Sequence, residues 1–473
     1  MKRHTKIVAT LGPSSDDESE IEKVVSAGMD IARLNFSHGS YKEFERIVTN
    51  IRKIEKESGK RIGILQDLQG PKIRLGTLPA KGIRVNRGDV ITFSVKNGDK
   101  NTIFVPFPPL PKVVKPGQRL LIEDGLIRTK ILSIKSVHVK VLVKNGGILK
   151  SHKGINIPDS HLPPASSLTE KDRKDLKFGI KKLKVDAVAI SFVETEDDVK
   201  RVKKTIGAHT SRQVMVISKI ERSKALKNIE AIVRASDGIM VARGDLGIET
   251  PLERVPIEQK RLIKLCREMG KPVIVATQIL QSMVDSPLPT RAEISDAATA
   301  VFEQTDAYML SNETAVGKYA AKAVRTLAEV AETVEKNMND SEDNSENCEN
   351  TICNLKNGSE GKPEDYSIAS GAVLLAKQIH ADNIVVVSRH GFTARTILRL
   401  RPKTPVIVVT NSEETAKLLN FYWGIEHILV TKRKLRSEEV KELLKEKGFL
   451  KRGQKIVFTS LKKEKRSLVT MSI

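Results

Sequence analysis

Eight short apolar runs, each closing on polar or charged residues and followed by a helix-patterned stretch, constrain this chain more than any other feature. Three stand near the start, Thr5–Gly12, Ile31–Gly39 and Arg61–Asp67, and five more end near Ser191, Glu221, Arg243, Thr277 and Leu310. Buried parallel strands read as continuous β-branched runs, and strands that alternate with helices form a parallel sheet. Eight such units are the count of a (β/α)8 barrel, whose chemistry sits at the carboxyl ends of its strands. The polar residues fall there: Arg33, Asn35 and Ser37 after the second strand, Asp67 after the third, Ser191 after the fourth, Lys219 and Glu221 after the fifth, Asp245 after the sixth, Thr277 after the seventh, Ser311 and Glu313 after the eighth.

The fifth and sixth runs are the most pointed. In Val216-Ile217-Ser218-Lys219-Ile220-Glu221 the lysine and the glutamate are two apart, which on a strand places both on one face. Val241-Ala242-Arg243-Gly244-Asp245 adds a glycine for close backbone approach, an aspartate and the start of a helix, whose free N–H groups favour an anion. A cation, two carboxylates and an anion-friendly backbone suggest a metal–phosphate site.

Around the barrel the texture changes twice. Residues Lys72 to about Leu162 carry Val, Ile, Gly and Pro with period-two patches such as Ile83-Arg84-Val85 and Val137–Val141, and no helix pattern, so an all-β insert is expected. Residues 337–363 are rich in Asn, Ser, Glu and Gly and read as a linker; Cys348 and Cys353 inside it lack partners at zinc spacing. Beyond it come a helix Ile368–Ile379 and strands Ile384–Ser388, Pro405–Thr410, Ile428–Val430 and Lys455–Thr459, a compact open α/β domain. Its loop Ser388–Thr393 reads either as a structural strand-to-helix turn or as a phosphate site. Among the barrel helices, one is expected from a cap at Ser14 or Ser15 to Ala27, others over Tyr41–Glu57, Ile257–Met269 and Thr290–Val301. The division is then 1–69 with 167–338 for the barrel, 70–166 for the insert, 339–365 for the linker and 366–473 for the last domain.

Lys+Arg of 81 against Asp+Glu of 58 give a formal net charge of +23, which suits anionic substrates or polyanions. The basic residues are scattered and aromatics for base stacking are few, so no specific nucleic acid is expected. Three cysteines in 473 residues make no disulfide framework and fit a reducing cytoplasm. No stretch reaches the length of a membrane span.

Longer motifs carry a resemblance: Thr5–Pro13, Ala32–Gly39, Asp67–Arg74, Ile217–Glu221, Val241–Gly247, Ala276-Thr277-Gln278 with Pro289–Glu293, and Met309–Ala315. Over nearly its whole length the chain resembles the pyruvate kinase family. The resemblance implies a TIM barrel with an inserted β-barrel lid and a C-terminal α/β domain that can carry a regulatory site. It implies phosphoryl transfer from phosphoenolpyruvate to ADP, giving pyruvate and ATP, in a homotetramer. Glu221 and Asp245 would ligate Mg²⁺ (or Mn²⁺). Lys219 would face the transferring phosphoryl and the enolate oxygen, Arg33 the phosphate, the backbone of Gly244 and Asp245 the carboxylate, Thr277 the reacting carbon, and Ser311 a protonating water relay. Asn35, Ser37, His38, Arg74 and Lys153 would meet the nucleotide. Asn35, Ser37, Asp67 and the Leu68 carbonyl match the family's K⁺ site. Leu68, Gln69, Lys72 and Leu75 depart there toward members that dispense with K⁺, with the Lys72 ammonium as the internal substitute. His390 and Phe392 in the Ser388–Thr393 loop, and Ser460–Lys465 in place of a glycine-rich segment, depart from members that bind fructose 1,6-bisphosphate. Two competing readings are a metal-dependent barrel lyase acting on pyruvate-like enolates and a non-catalytic polyanion-binding protein.

Overall fold

The computed structural model describes residues 3–160, 168–338, 362–433, 436–461 and 466–472. Eight parallel strands close into a barrel: β1 Lys6–Thr10, β2 Ile31–Asn35, β3 Gly63–Asp67, β4 Ala187–Ile190, β5 Met215–Ile220, β6 Gly238–Ala242, β7 Val273–Ala276 and β8 Ala307–Leu310. Each pairs with its sequence neighbour, and β8 returns to β1 with Lys6 opposite Ala307. Small and flexible side chains fill the interior, among them Ala189, Ile217, Met240, Ile274 and Met309. That core runs on into the C-terminal domain: the Phe421 ring lies where a Cβ on Gly63 would be 3.0 Å from it, so the amino-terminal end of the barrel is plugged. The carboxyl end is left for the site.

Local signals set the outer helices. Ser40 caps Tyr41–Ser58 and Thr290 caps Arg291–Phe302, each in a reciprocal capping box with a glutamate three residues on. The first helix departs from expectation. It runs Glu18–Ala27 with Asp17 at the N-cap position, because Ser15 spends its hydroxyl elsewhere, donating to the Thr314 carbonyl at 2.6 Å after β8. The second apolar run is shorter than its pattern: β2 stops at Asn35, whose Oδ1 accepts the Ser37 N–H at 3.2 Å and turns the chain.

The insert is a curled seven-stranded sheet beside a two-stranded one. Its edges meet where the Gly76 N–H donates to the Phe104 carbonyl at 2.8 Å; a Cβ on Gly76 would sit 2.6 Å from the Phe104 ring. One helical turn, Leu110–Val113, interrupts the expected all-β texture, and its Leu110 is buried in the insert's core. The chain enters along Ile73–Arg74 and leaves along Gly154–Asn156, and these two strands pair antiparallel. Cys348, Cys353 and nearly all of the expected linker lie outside the described residues, whereas 363–365 form the first turn of the helix Pro363–Gln378.

The C-terminal sheet has five strands, ordered 425–430, 406–410, 383–387, 455–461 and 466–472. The last, Arg466–Ser472, is antiparallel and was not expected from sequence, since a polar edge strand lacks the apolar run that marks the others. Arg401 ties this domain to the barrel: its guanidinium grips Asp306, just ahead of β8, at 3.0 and 2.9 Å and lies over the Trp423 ring.

Candidate active site

At the carboxyl rim side chains from the ends of β3, β4 and β5 converge on Lys219. Its ammonium, on β5, lies 2.8 Å from Glu221 Oε1, donates to Ser191 Oγ at 2.8 Å and stands 3.4 Å from Asp67 Oδ1. Glu221 follows the strand on the same face, as the two-residue spacing requires. Burial alone would favour the neutral amine, but the facing Asp67 and Glu221 carboxylates outweigh it and hold the ammonium charged well above its ordinary range. Asp67 shows the complement: burial pushes its carboxyl up, yet Lys219 and Arg33 win and keep it below its usual value. Arg33 reaches Asp67 through Nε at 2.8 Å and Thr10 Oγ1 through Nη1 at 2.8 Å, which fixes the guanidinium inside the rim.

Across the mouth, β6 ends directly in the helix Arg243–Glu249. The Gly244 N–H donates to Thr277 Oγ1 at 2.8 Å, and that hydroxyl donates to the Ala276 carbonyl at 2.6 Å. Thr277 and Gln278 both have left-handed backbones, with φ of 73° and 55°, an unfavourable place for a β-branched residue. Arg243 holds them: Nη2 donates to the carbonyls of Thr277 at 2.8 Å and Gln278 at 3.3 Å, while Nη1 bonds Asp296 at 2.8 Å. Arg243 is a functional residue that the motif alone does not single out; its signal in the sequence is a charge at the first position of a helix after a buried strand.

Asp245 pairs with Lys72 across 3.5 Å. Lys72 thus stands by Asp245, and its charge also reaches His38, next to the residues matched to a K⁺ site. Asn35 Oδ1 is engaged by the Ser37 N–H, and the Leu68 carbonyl accepts from Ser191 Oγ at 2.8 Å. Ser311 donates its N–H to Glu313 Oε2 at 2.8 Å, and Glu313 also accepts from the Leu280 N–H at 3.2 Å, so this fully buried carboxylate braces two rim loops. Arg74 donates to the His152 carbonyl at 3.0 Å and Lys153 pairs with Glu123 at 2.6 Å, both within the insert. His38 is lowered from its ordinary pKa, first by partial burial and then by Arg74, Arg33, Lys72 and Lys171 around it. Those four cations make the adjoining rim hospitable to phosphates.

Glu221 and Asp245 are the two carboxylates at the mouth that could take a metal ion, in place of or beside Lys219 and Lys72. Burial pushes the Glu221 carboxyl up; Lys219 opposes this and the charge of Asp245 adds to it. Among the described residues no group of three or more His, Cys, Asp or Glu is placed to hold a metal. A hard cation here would take two carboxylates and complete its shell with water and substrate oxygens, the habit of Mg²⁺.

The barrel-domain profile of the pyruvate kinase family matches residues 2–324, and the family's alpha/beta-domain profile matches residues 366–470. The chain belongs to the pyruvate kinase family. It is 38% identical over 460 residues to pyruvate kinase of Clostridium acetobutylicum, covering 96% of this chain and 95% of that one. Against pyruvate kinase of Geobacillus stearothermophilus it is 37% identical over 471 residues, covering 97% of this chain and 78% of the longer relative. The fold is similar to the crystal structure of a pyruvate kinase from Cryptosporidium parvum, with TM-score 0.91 at 32% identity over 99% of this chain and 96% of that one. Pyruvate kinases are phosphotransferases, and the fold expected from the alternating runs is the family's fold.

Proposed function

We propose that this chain transfers the phosphoryl group of phosphoenolpyruvate to ADP, giving pyruvate and ATP, at the carboxyl rim of its barrel. The observation that carries the reading is Lys219: a buried ammonium held between Asp67, Glu221 and Ser191. Glu221 and Asp245 hold Mg²⁺ or Mn²⁺, which when bound supplies positive charge to substrate oxygens. Lys219 stabilises charge developing on the phosphoryl and enolate oxygens, and its position costs no reorganisation because three partners already fix it. Arg33 holds the phosphate. Gly244 and Asp245 offer backbone N–H groups to the carboxylate, the Gly244 N–H exchanging Thr277 Oγ1 for the ligand. Thr277 lines the pocket at the reacting carbon, and the Ser311 hydroxyl belongs to the relay that protonates the enolate.

Residues 1–69 with 167–338 form the catalytic barrel, 70–166 a lid and 363–473, which opens on the helix Pro363–Gln378, a domain able to carry a regulatory site. Asn35, Ser37, His38, Arg74 and Lys153 meet the nucleotide phosphates; Lys153 leaves Glu123 to do so. Lid closure excludes water, so that ADP is the acceptor. Lys72 supplies the charge that a K⁺ ion at Asn35, Ser37, Asp67 and Leu68 would bring, and its place beside Asp245 keeps that charge close to the reacting phosphates. The enzyme works as a cytoplasmic homotetramer. No helix among the described residues is long and apolar enough to cross a membrane.

The test is pyruvate release from phosphoenolpyruvate, ADP and Mg²⁺, run in tetramethylammonium buffer and again with K⁺. Turnover in both is expected. Turnover that requires K⁺ would keep the reaction and remove the role given to Lys72, and none in either would overturn the assignment.

A further inference from the structure

Arg222 follows Glu221 directly and is 2% exposed. An arginine so deeply buried needs partners, and those of Arg222 come from three separate parts of the chain. Nη2 donates to the carbonyls of Ile157 at 3.3 Å and Ser160 at 3.1 Å, on the stretch by which the chain leaves the insert. Nη1 lies 2.5 Å from Glu194 Oε1, on the loop after β4, and Nε lies 3.7 Å from Glu249 Oε2, at the last residue of the helix that carries Asp245. Lys224 Nζ adds a bond of 2.5 Å to the Ser160 carbonyl.

The exit stretch is gripped from its other side by the insert itself. Arg119 pairs with Asp159 through Nη2 at 2.7 Å and Nε at 3.1 Å, and Ser160 Oγ donates to Gln118 Oε1 at 2.9 Å. Residues 157–160 are therefore a clasp, with the insert's own side chains on one side and the barrel's Arg222 and Lys224 on the other. Upstream, Gly154–Asn156 pairs with Ile73–Arg74, and the Leu75 N–H donates to the Lys153 carbonyl at 2.9 Å. Arg222 is thus linked, through its bonds to the clasp and the backbone that joins the clasp to Gly154–Asn156, to the strand that bears Arg74 and follows Lys72.

We propose that Arg222 is a positioning residue that fastens the insert's exit stretch to the two elements bearing Glu221 and Asp245, and so sets the pose in which Lys72, Arg74 and Lys153 face the nucleotide. The inference rests on the insert acting as a lid. It does not involve contact between Arg222 and any substrate. Removing the guanidinium frees the clasp and also takes from Glu194 and Glu249 their nearest charged partner, leaving Lys224 as the cation close to both, so loss of positioning and loss of stability must be separated.

Arg222→Gln and the double variant Arg222→Gln with Glu249→Gln separate them, the second restoring the local balance of charge. Each is measured for melting temperature, for KM of ADP and of phosphoenolpyruvate, and for hydrogen exchange of the amides over 154–160. Arg222→Gln is expected to lower the melting temperature, to raise the KM for ADP about tenfold, the worth of a charged hydrogen bond, with a smaller change for phosphoenolpyruvate, and to speed exchange at 154–160. In the double variant the melting temperature recovers in part while the ADP KM and the exchange stay altered. Recovery of all three together would make Arg222 purely structural and overturn the proposal, as would unchanged exchange at 154–160 in Arg222→Gln. The exchange arm is read without substrate, so an enzyme inactive on phosphoenolpyruvate and ADP still decides it.

Discussion

Replacing Lys219 by Met tests the site most directly, because it removes one charge and little volume. In the wild type the ammonium is fixed by Glu221 at 2.8 Å, Ser191 at 2.8 Å and Asp67 at 3.4 Å. Loss of a preorganised charge-stabilising donor of this kind costs roughly 10²–10³ in turnover, about 2.7–4 kcal/mol in the barrier. Stability suffers separately. Asp67 keeps Arg33 at 2.8 Å, whereas Glu221 keeps the Phe192 N–H at 2.7 Å and loses its cation; stripping one partner from a buried pair costs about 3–5 kcal/mol. Mg²⁺ held by Glu221 and Asp245 would return positive charge to the carboxylate, so the melting temperature should drop most in metal-free buffer and recover in part with Mg²⁺. Turnover should not recover. The acid limb moves as well. A carboxyl held below its ordinary value of 3.8, as in Asp67, contributes stability above that pH and loses it as pH falls through the folded value; without Lys219 that loss should begin at higher pH. Lys219 itself is raised above 10.5, so its own contribution is complete below that pH and declines only above it. Pyruvate release gives turnover, calorimetry gives stability and Mn²⁺ titration gives metal affinity, which should stay near wild type. A variant that turns over near the wild-type rate would refute the reasoning.

Three further outcomes follow from the packing. Arg401→Met should destabilise the junction of barrel and C-terminal domain by about 3–5 kcal/mol, because Asp306 is buried and loses a two-point partner; urea unfolding measures it, and an unchanged midpoint would remove Arg401 as the tie. Gly179→Ala places a Cβ 2.1 Å from Gln66 Oε1, and since Gln66 is fully buried and bonded to the Asp175 carbonyl, a loss of about 1–3 kcal/mol is expected, partly relieved by a paired Gln66→Ala. Cys266 is fully buried and its thiol is pushed far up by burial, so iodoacetamide should label it only on unfolding; labelling of the native enzyme would contradict that burial.

The barrel was legible because each strand pairs with its sequence neighbour and carries its own apolar run, so local pattern and global fold agree. Lys219 with Glu221 was legible for a similar reason: a spacing of two on a strand is a geometric statement. What escaped are partnerships across long separations. Nothing near Ser15 says that its hydroxyl will serve the Thr314 carbonyl instead of a helix, and nothing near Glu313 says that its carboxylate braces loops rather than substrate. Nothing near Lys72 says that its ammonium will stand 3.5 Å from Asp245, far along the chain. Arg222 passed unnoticed because its partners lie at Ile157, Ser160, Glu194 and Glu249, on elements that only the closed barrel brings together.

The balance of charge in the rim explains why so many ionised groups can share a site that is largely buried. Arg33, Lys72 and Lys219 stand against Asp67, Glu221 and Asp245, so the set is formally neutral and each member has an opposite neighbour within 3.5 Å. A divalent cation alone, or a substrate bearing both phosphate and carboxylate alone, would leave this low-dielectric space charged and costly. Arriving together they largely cancel, so each should strengthen binding of the other by the same factor, as linkage requires. Loss of the Lys219 charge would tilt that balance toward the metal and against the anion. Lys219→Met should therefore weaken substrate binding while sparing the ion, a split that simple collapse of the site could not produce.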